Sequence, residues 1–387
     1  MKKRVVLLRS NPISPDPPVE KMADTLLANG YRVEIIGWDR SSRVKEKIDN
    51  LSLENGVVKI TRFGIPAMFD GGIKKNFVPL VKFQSRLYKW LKKHKDEYDI
   101  IHSFDFDTGF IANKIAKKYN KRLIYHILDF YIDSHNVPSG FLKLKVKNAE
   151  FAIINNADAT ILCTEKRREQ IAGSKPKRLE IIHNTPKSVN LISDSYRELS
   201  KNTQCKIVYV GILAGSRFLR EIIKFVEQDS RFELHIGGFG TMENEIAEIA
   251  EKCERICYYG KLPYEKTLAL EQACDIMTAI YDPRVPNHKF AAPNKFYESL
   301  MLGKPVIMAR NTGFDQIIED NNIGVLIDYS EEGFKEGIDK LISEKADWAS
   351  MSERMKKLYK DKYSWTEMER RLIELYAELS NEKNIDR

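Results

Sequence analysis

The chain lacks most of the features that assign a protein to a class at first reading. Its 387 residues contain no run of about eighteen apolar residues, which excludes a membrane-spanning helix. Cysteine is sparse and odd in number: Cys163, Cys205, Cys253, Cys257 and Cys274 are five scattered residues, with no paired framework for disulfides. They suit the reduced thiols of a cytoplasmic protein. Cys253 and Cys257, four apart, read as helical neighbours, but no His or Cys pair accompanies them to complete a zinc site. No tandem repeat or low-complexity segment stands out. The formal net charge of +8 suits an anionic partner, but no base-stacking or groove-reading motif accompanies it, so nucleic acid is not expected.

What is present is a succession of short apolar strands and amphipathic helices. The basic start, Met1-Lys2-Lys3-Arg4, precedes only four apolar residues before Arg9, which fits a buried first strand better than a secretory signal. Strand Val5–Leu8, helix Glu20–Asn29 with a stop at Gly30, and strand Arg32–Trp38 form a βαβ opening, which demands a parallel sheet. The loop between them, Ser10 to Pro18, is rich in proline and carries no dinucleotide fingerprint. Further strands are expected at Val57–Phe63, within Tyr98–Gly109 together with its carboxyl-end loop, and at Arg122–Asp129, Ala157–Thr164 and Leu179–Pro186. Between Lys74 and His94, Phe83, Leu87, Trp90 and Leu91 recur at helical spacing among lysines. That pattern fits first a helix with its apolar face on a core, since a helix between strands must bury one face, and second one resting on anionic lipid. Lys187 to Thr203 is polar and reads as a linker. A second series of strands then begins at Cys205–Gly211. Two domains follow from the length, divided at 190/191, and residues 366–387 read as a terminal helix.

One stretch, Ala291 to Met308, carries the chemistry. It reads as loop, helix, stop and strand: Pro293 sets the entry, Gly303 the αL stop, and Lys304-Pro305 cannot continue the helix. Asn294 is placed to cap it. Lys295 and Glu298, three apart, share a face beside a helix N-terminus, where free N–H groups favour an anion. A cation at the mouth and a carboxylate one turn deeper suit phosphate and ribose; the alternative is an ion pair on a surface helix.

Pro293-Asn294-Lys295-Phe296-Tyr297-Glu298-Ser299-Leu300-Met301-Leu302-Gly303-Lys304-Pro305 resembles the donor-binding segment of retaining glycosyltransferases of family 4, and the likeness continues in order through nearly the whole chain. The resemblance implies a GT-B fold: two Rossmann-like parallel-sheet α/β domains facing each other across a cleft, with the C-terminal helix crossing back to the first. It implies that Glu298 holds the ribose of a nucleotide-diphosphate sugar, UDP favoured. The family's second Glu, eight positions earlier, is Phe290 here, as in a subset that keeps only Pro-x-Lys-x-x-Glu. Gly211 matches the turn glycine after the second domain's first strand, Arg217 the diphosphate-binding cation, and Gly238 the following glycine turn. Asp129 matches an acidic active-site residue, although Leu128 stands where the family often has His, and His126 lies two residues away. Catalysis is therefore expected of Arg217, Lys295 and Asp129, and donor binding of Gly211, Gly238, Phe290 and Asn294 with Arg217, Lys295 and Glu298. Asp16, Asp105, Asp133 and His135 are acceptor-side candidates. Asp105 and Asp107 imitate a metal-binding pair, but the family needs no metal or other cofactor.

The implied function is sugar transfer to a glycan or lipid-linked acceptor in cell-surface polysaccharide assembly. The site would be cytoplasmic, at the inner face of a membrane that residues 74–93 touch. The departures at Leu128 and Phe290 leave two alternatives of the same fold: a nucleotide-sugar epimerase, or a non-catalytic nucleotide-sugar-binding or partner protein.

Overall fold

The computed structural model describes residues 3–68, 72–135, 137–138, 140–188, 196, 199 and 204–381, so most of the expected linker lies outside the described residues, as do the side chains of Ile73 and Lys74. The chain divides into two compact units, Met1–Asn184 with Met368–Arg387, and Thr185–Glu367.

In the first unit, β1 (Arg4–Leu8), α1 (Pro17–Ala28) and β2 (Arg32–Asp39) are followed by a hairpin, β3 (Lys47–Leu53) and β4 (Gly56–Gly64). Then come α2 (Gly72–Lys93), β5 (Ile100–Phe104), α3 (Asp105–Tyr119), β6 (Arg122–Ile127), α4 (Tyr131–Ser134), α5 (Phe141–Asn156), β7 (Ala159–Leu162) and β8 (Leu179–Ile181). The sheet order is β3-β4-β2-β1-β5-β6-β7-β8, parallel except where β3 pairs antiparallel with β4. The hairpin departs from the all-parallel expectation. β3 alternates exposed and half-buried residues at the sheet edge, so its sequence carries no apolar run to announce it. The central strands are mainly apolar, as a sheet buried on both faces requires, with His102, Ser103 and His126 as buried polar exceptions.

The second unit holds β9 (Cys205–Leu213), α6 (Leu219–Gln228), β10 (Phe232–Gly240), α7 (Glu243–Ala250), β11 (Ile256–Tyr258), α8 (Tyr264–Ala273) and β12 (Ile276–Thr278). It continues through α9 (Asn294–Leu302), β13 (Val306–Ala309), α10 (Asp315–Asn321), β14 (Gly324–Ile327), α11 (Glu331–Ser343) and α12 (Trp348–Leu358). Its six strands are all parallel, in the order β11-β10-β9-β12-β13-β14. Cys253 lies in the turn after α7 and Cys257 on β11, so the helical pairing expected of them does not form. Among the described residues no His, Cys, Asp or Glu group is arranged to hold a metal, and no helix is long and apolar enough to cross a membrane.

In both sheets the strand order reverses beside the first strand of the unit, at β1/β5 and at β9/β12. Loops leaving the carboxyl ends there diverge to opposite faces and open a crevice, the usual ligand position in such sheets.

The last helix, α13 (Trp365–Asn381), buries Met368, Leu372, Leu375, Tyr376 and Leu379. Within the first unit, Tyr376 and His102 Nδ1 are hydrogen-bonded at 2.9 Å, and His102 Nε2 lies 3.3 Å from His126 Nδ1. Phe104 stacks on both imidazoles. His126, two residues before the family's histidine position, is thus a core residue with no exposure. Burial holds both histidines neutral: His102 falls to about 3, and His126 well below its ordinary value.

A histidine depressed in the folded state contributes stability that is complete above its unfolded pKa, near 6.5, and is lost as pH falls towards the folded value. Between pH 7 and 5, unfolding free energy should therefore decline by up to about 1.4 kcal/mol per pH unit for each histidine. Urea titrations at half-unit pH steps measure this, and a flat profile over that range would contradict it.

Candidate active site

The second unit's crevice is built at the ends of β9 and β10. Gly211 and Gly238 are cross-strand partners. A Cβ on Gly238, at φ 132°, would strike the Gly211 carbonyl, and one on Gly211 would strike the Lys295 ammonium. The two glycines therefore let a backbone and a cation approach where side chains would stand.

α9 brings up the polar pair. Pro293 is its N-cap at φ −67°, Asn294 opens the helix rather than capping it, and Gly303 ends it at φ 68°. The helix is buried, Lys295 and Glu298 included, which rules out the surface-helix alternative. Lys295 Nζ lies 4.6 Å from the centroid of the Tyr209 ring. Burial alone would lower its pKa, but Tyr209, Tyr281 and the carboxyls of Glu298 and Glu271 outweigh that and hold it above the ordinary value, so the ammonium stays charged. Glu298 accepts a 3.1 Å hydrogen bond from the Tyr264 hydroxyl on α8.

Arg217 closes a 3-10 turn, Gly215–Arg217, and its guanidinium stacks 3.8 Å from the Tyr281 ring centroid. His288 Nδ1 lies 2.8 Å from the Asp282 carbonyl, which only accepts, so that nitrogen carries the proton. Nε2 is then left to accept from Arg217 Nη1 at 3.4 Å. Neither Arg217 nor Lys295 bonds a carboxylate among the described residues. With Lys261 they face a cavity of about 420 Å³ whose wall holds one carboxylate, Glu298. Such a surplus of uncommitted cations suits a diphosphate.

Tyr264, Thr267 and Glu271 recur at helical spacing along one face of α8, and the first two line this cavity. Glu271 is 1% exposed, and neither carboxyl oxygen has a hydrogen-bond partner among the described residues. Burial, then the neighbouring Glu298, pushes its pKa well above the carboxylate range, with Lys295 opposing. Glu271 therefore holds its proton more tightly than an ordinary carboxyl, behind the charged pair.

The first unit's crevice is larger, about 820 Å³. Arg9, leaving β1, bonds Asp16 at 2.9 Å and also bonds Asp105. Asp105 begins α3 at φ 57° and accepts from the backbone N–H groups of Leu128 and Asp129 at 2.8 and 3.1 Å. The Asp129 carboxylate, half exposed, meets Arg167 at 3.0 Å. His135 stacks on Tyr131 with ring centroids 4.2 Å apart.

These two constructions can be set beside known proteins. The model for Glycosyltransferase Family 4 matches residues 19–185, and that for Glycosyl transferases group 1 matches residues 193–362. The chain belongs to glycosyltransferase family 4. Its fold is that of GT-B glycosyltransferases. It resembles sucrose-phosphate synthase from Thermosynechococcus elongatus at TM-score 0.75 and 15% identity, covering 99% of this chain and 100% of that one. An E. coli trehalose-6-phosphate protein bound with UDP-2-fluoro glucose gives 0.74 at 12% identity, covering 98% and 99%. HepE from Anabaena, in complex with UDP and glucose, gives 0.68 at 13% identity, covering 97% and 100%. No curated protein matches the sequence.

Of the residues expected from the sequence of this glycosyltransferase, Gly211, Arg217, Gly238, Asn294, Lys295 and Glu298 meet at the second unit's cavity. Phe290 ends a 3-10 turn, Pro286–Phe290, and does not line it. Asp105, Asp129 and His135 line the first unit's cavity. Asp16 and Asp133 stand behind it: Asp16 caps α1 and accepts from Arg9, and Asp133 accepts from Gln170 at 2.8 Å. Sequence reasoning missed Arg9, Arg40, Tyr264 and Glu271, and set Asp107 aside. Only the spacing on α8 offered a signal.

Gly211→Ala would place a Cβ at φ 158°, a backbone that side chains rarely adopt, and must displace the Lys295 ammonium. Nucleotide-diphosphate affinity is expected to fall about tenfold together with a lowered melting temperature, as calorimetric titration beside a thermal melt would register.

Glu271 gives a second test. A carboxyl raised in the folded state contributes stability that is complete below its unfolded pKa and is lost as pH rises towards the folded value. Glu271→Gln escapes that loss, so its stability relative to wild type should climb as pH rises above the unfolded value of about 4.3, by at most about 1.4 kcal/mol per unit. A pH-independent difference in denaturation midpoint would refute the assignment.

Proposed function

We propose that this glycosyltransferase moves a sugar from a nucleotide-diphosphate donor, a UDP-sugar, to a glycan or lipid-linked acceptor, with retention of anomeric configuration. The observation that carries the reading is the pair of uncommitted cations, Arg217 and Lys295, beside a buried Glu298 oriented by Tyr264. Arg217 and Lys295 would neutralise the diphosphate as the glycosidic bond to it breaks, and Glu298 would hold the ribose hydroxyls. The leaving diphosphate takes the acceptor hydroxyl's proton on the face where the new bond forms, so the protein need supply no nucleophile. The two side chains supply the positive charge that a metal would otherwise bring, and the scheme needs no other cofactor. Asp129, at the carboxyl end of β6, is assigned to the reacting sugars.

The acceptor reading draws on the first unit's cavity, and the cellular role is assembly of surface polysaccharide. In the N-terminal half of α2, Phe77, Val78 and Val81 are exposed beside Lys75 and Lys82, a combination that suits peripheral contact with an anionic membrane at its cytoplasmic face.

A thermal-shift panel of UDP, GDP, ADP and TDP with their common sugars tests the donor site, because a ligand of the folded state raises the melting temperature by mass action. The expected result is a shift for UDP and its sugars that Glu298→Ala and Lys295→Ala both abolish. The absence of any nucleotide shift at about 1 mM, a concentration that reveals even weak binding, would defeat the reading. Release of UDP that requires an acceptor separates transfer from epimerisation.

A further inference from the structure

The two cavities differ in charge. Three cations and one carboxylate line the donor side. Four of each line the first unit's cavity: Arg9, Arg40, Lys47 and Arg62 stand against Asp39, Asp105, Asp107 and Asp129. Nearly every cation there is already committed. Arg9 holds Asp16 and Asp105, Arg62 bonds Asp49, and Lys47 reaches Asp49 at 3.1 Å. A phosphate or carboxylate would have to compete with these pairs for its charge partners.

Arg40 is the exception among the described residues. Its guanidinium lies 4.4 Å from the Trp38 ring centroid, and Nη2 donates to the Ser10 carbonyl at 3.2 Å. Nε is buried without a partner. Asp107, only 9% exposed, likewise keeps a buried Oδ1 without a partner. The Asp107 charge acts on Arg40, yet no hydrogen bond joins them. Both side chains line the cavity, beside Ser10, Asn11 and the Tyr131–His135 stack.

We propose that the acceptor is recognised as an uncharged sugar, one hydroxyl of which lies between Arg40 and Asp107. A hydroxyl is the group that answers both, since it accepts from a guanidinium and donates to a carboxylate in the same position. An anion would satisfy Arg40 and be repelled by Asp107. The hydroxyl held here is not the one that reacts: it keeps its proton and orients the ring, so Arg40 and Asp107 are positioning residues that set specificity. The proposal rests on the reading of this cavity as the acceptor side.

The test is saturation-transfer NMR titration of the full-length protein with the methyl glycosides of glucose, galactose, mannose and N-acetylglucosamine, and with glucose 6-phosphate and inorganic phosphate. At least one neutral glycoside should bind saturably, and the phosphorylated sugar no more tightly. Asp107→Leu and Arg40→Met should each raise that dissociation constant about tenfold or more, as loss of a charge-assisted hydrogen bond does. The isosteric Asp107→Asn guards against a folding defect and should weaken the neutral sugar as well. Three results overturn the proposal. One is a phosphorylated sugar that binds tenfold more tightly than its neutral parent, another is neutral binding indifferent to both Asp107 variants, and the third is no saturable glycoside up to about 100 mM. The nucleotide panel is read separately: a nucleotide shift without glycoside binding defeats this proposal alone, and glycoside binding without a nucleotide shift defeats the donor reading alone.

Discussion

A parallel sheet covered by helices on both faces leaves only its strand ends for polar chemistry, and that constraint governs the rest of the molecule. The interior of each sheet is mainly apolar, so charged side chains free to meet a ligand are presented where strands stop. At β9 and β12 the connections depart to opposite sides, and the strand ends are not roofed over. The residues that fill the second unit's crevice come from the termini of β9 and β10, the turn carrying Arg217, the start of α8 and the loop before it, the loop after β12 and the first turns of α9. The same logic at β1 and β5 gathers Arg9, Asp105 and Asp107 at the edge of the first sheet.

Crowding at the second edge is relieved by glycine. Lys295 occupies the space a Cβ on Gly211 would take, and the Gly211 carbonyl the space of one on Gly238. The ammonium is thereby set against Tyr209 and kept from any carboxylate among the described residues, so its charge remains available to a ligand. At the first edge the economy is different: carboxylates pin the arginines, and the guanidinium of Arg9 is spent on Asp16 and Asp105. One crevice offers net positive charge and the other offers balanced donors and acceptors, on the same kind of scaffold.

The sequence made the scaffold legible because buried parallel strands are written as short apolar runs. Val306 to Met308 and Ile207 to Val210 can hardly be anything else. The α9 segment was legible because Pro293, Lys295, Glu298 and Gly303 are close in sequence and each carries a local geometric meaning. Edge strand β3 was not, since one face meets water and its alternation is weak. Cys257 was misread because three residues of strand, Ile256–Tyr258, are too few to show a period. Arg40 and Asp107 lie 67 positions apart and meet only through the tertiary fold. No local pattern marks Arg40, and the Asp105-x-Asp107 pattern pointed to metal chemistry rather than to this pairing. Phe290, placed by counting back from Glu298, fell in a 3-10 turn away from the cavity, because counting along a chain does not carry around a bend.

Glu271 shows why the donor cavity keeps its positive sign. An ionised carboxylate there would stand beside Glu298 and cancel Lys295, leaving Arg217 and Lys261 to meet a diphosphate without the cation nearest the α9 N-terminus. Burial opposes this. With no hydrogen-bond donor to stabilise its charge among the described residues, Glu271 holds its proton more tightly than an ordinary carboxyl, while the Glu298 carboxylate beside Lys295 accepts from the Tyr264 hydroxyl. The electrostatics of the crevice thus depend on a residue that does not line it.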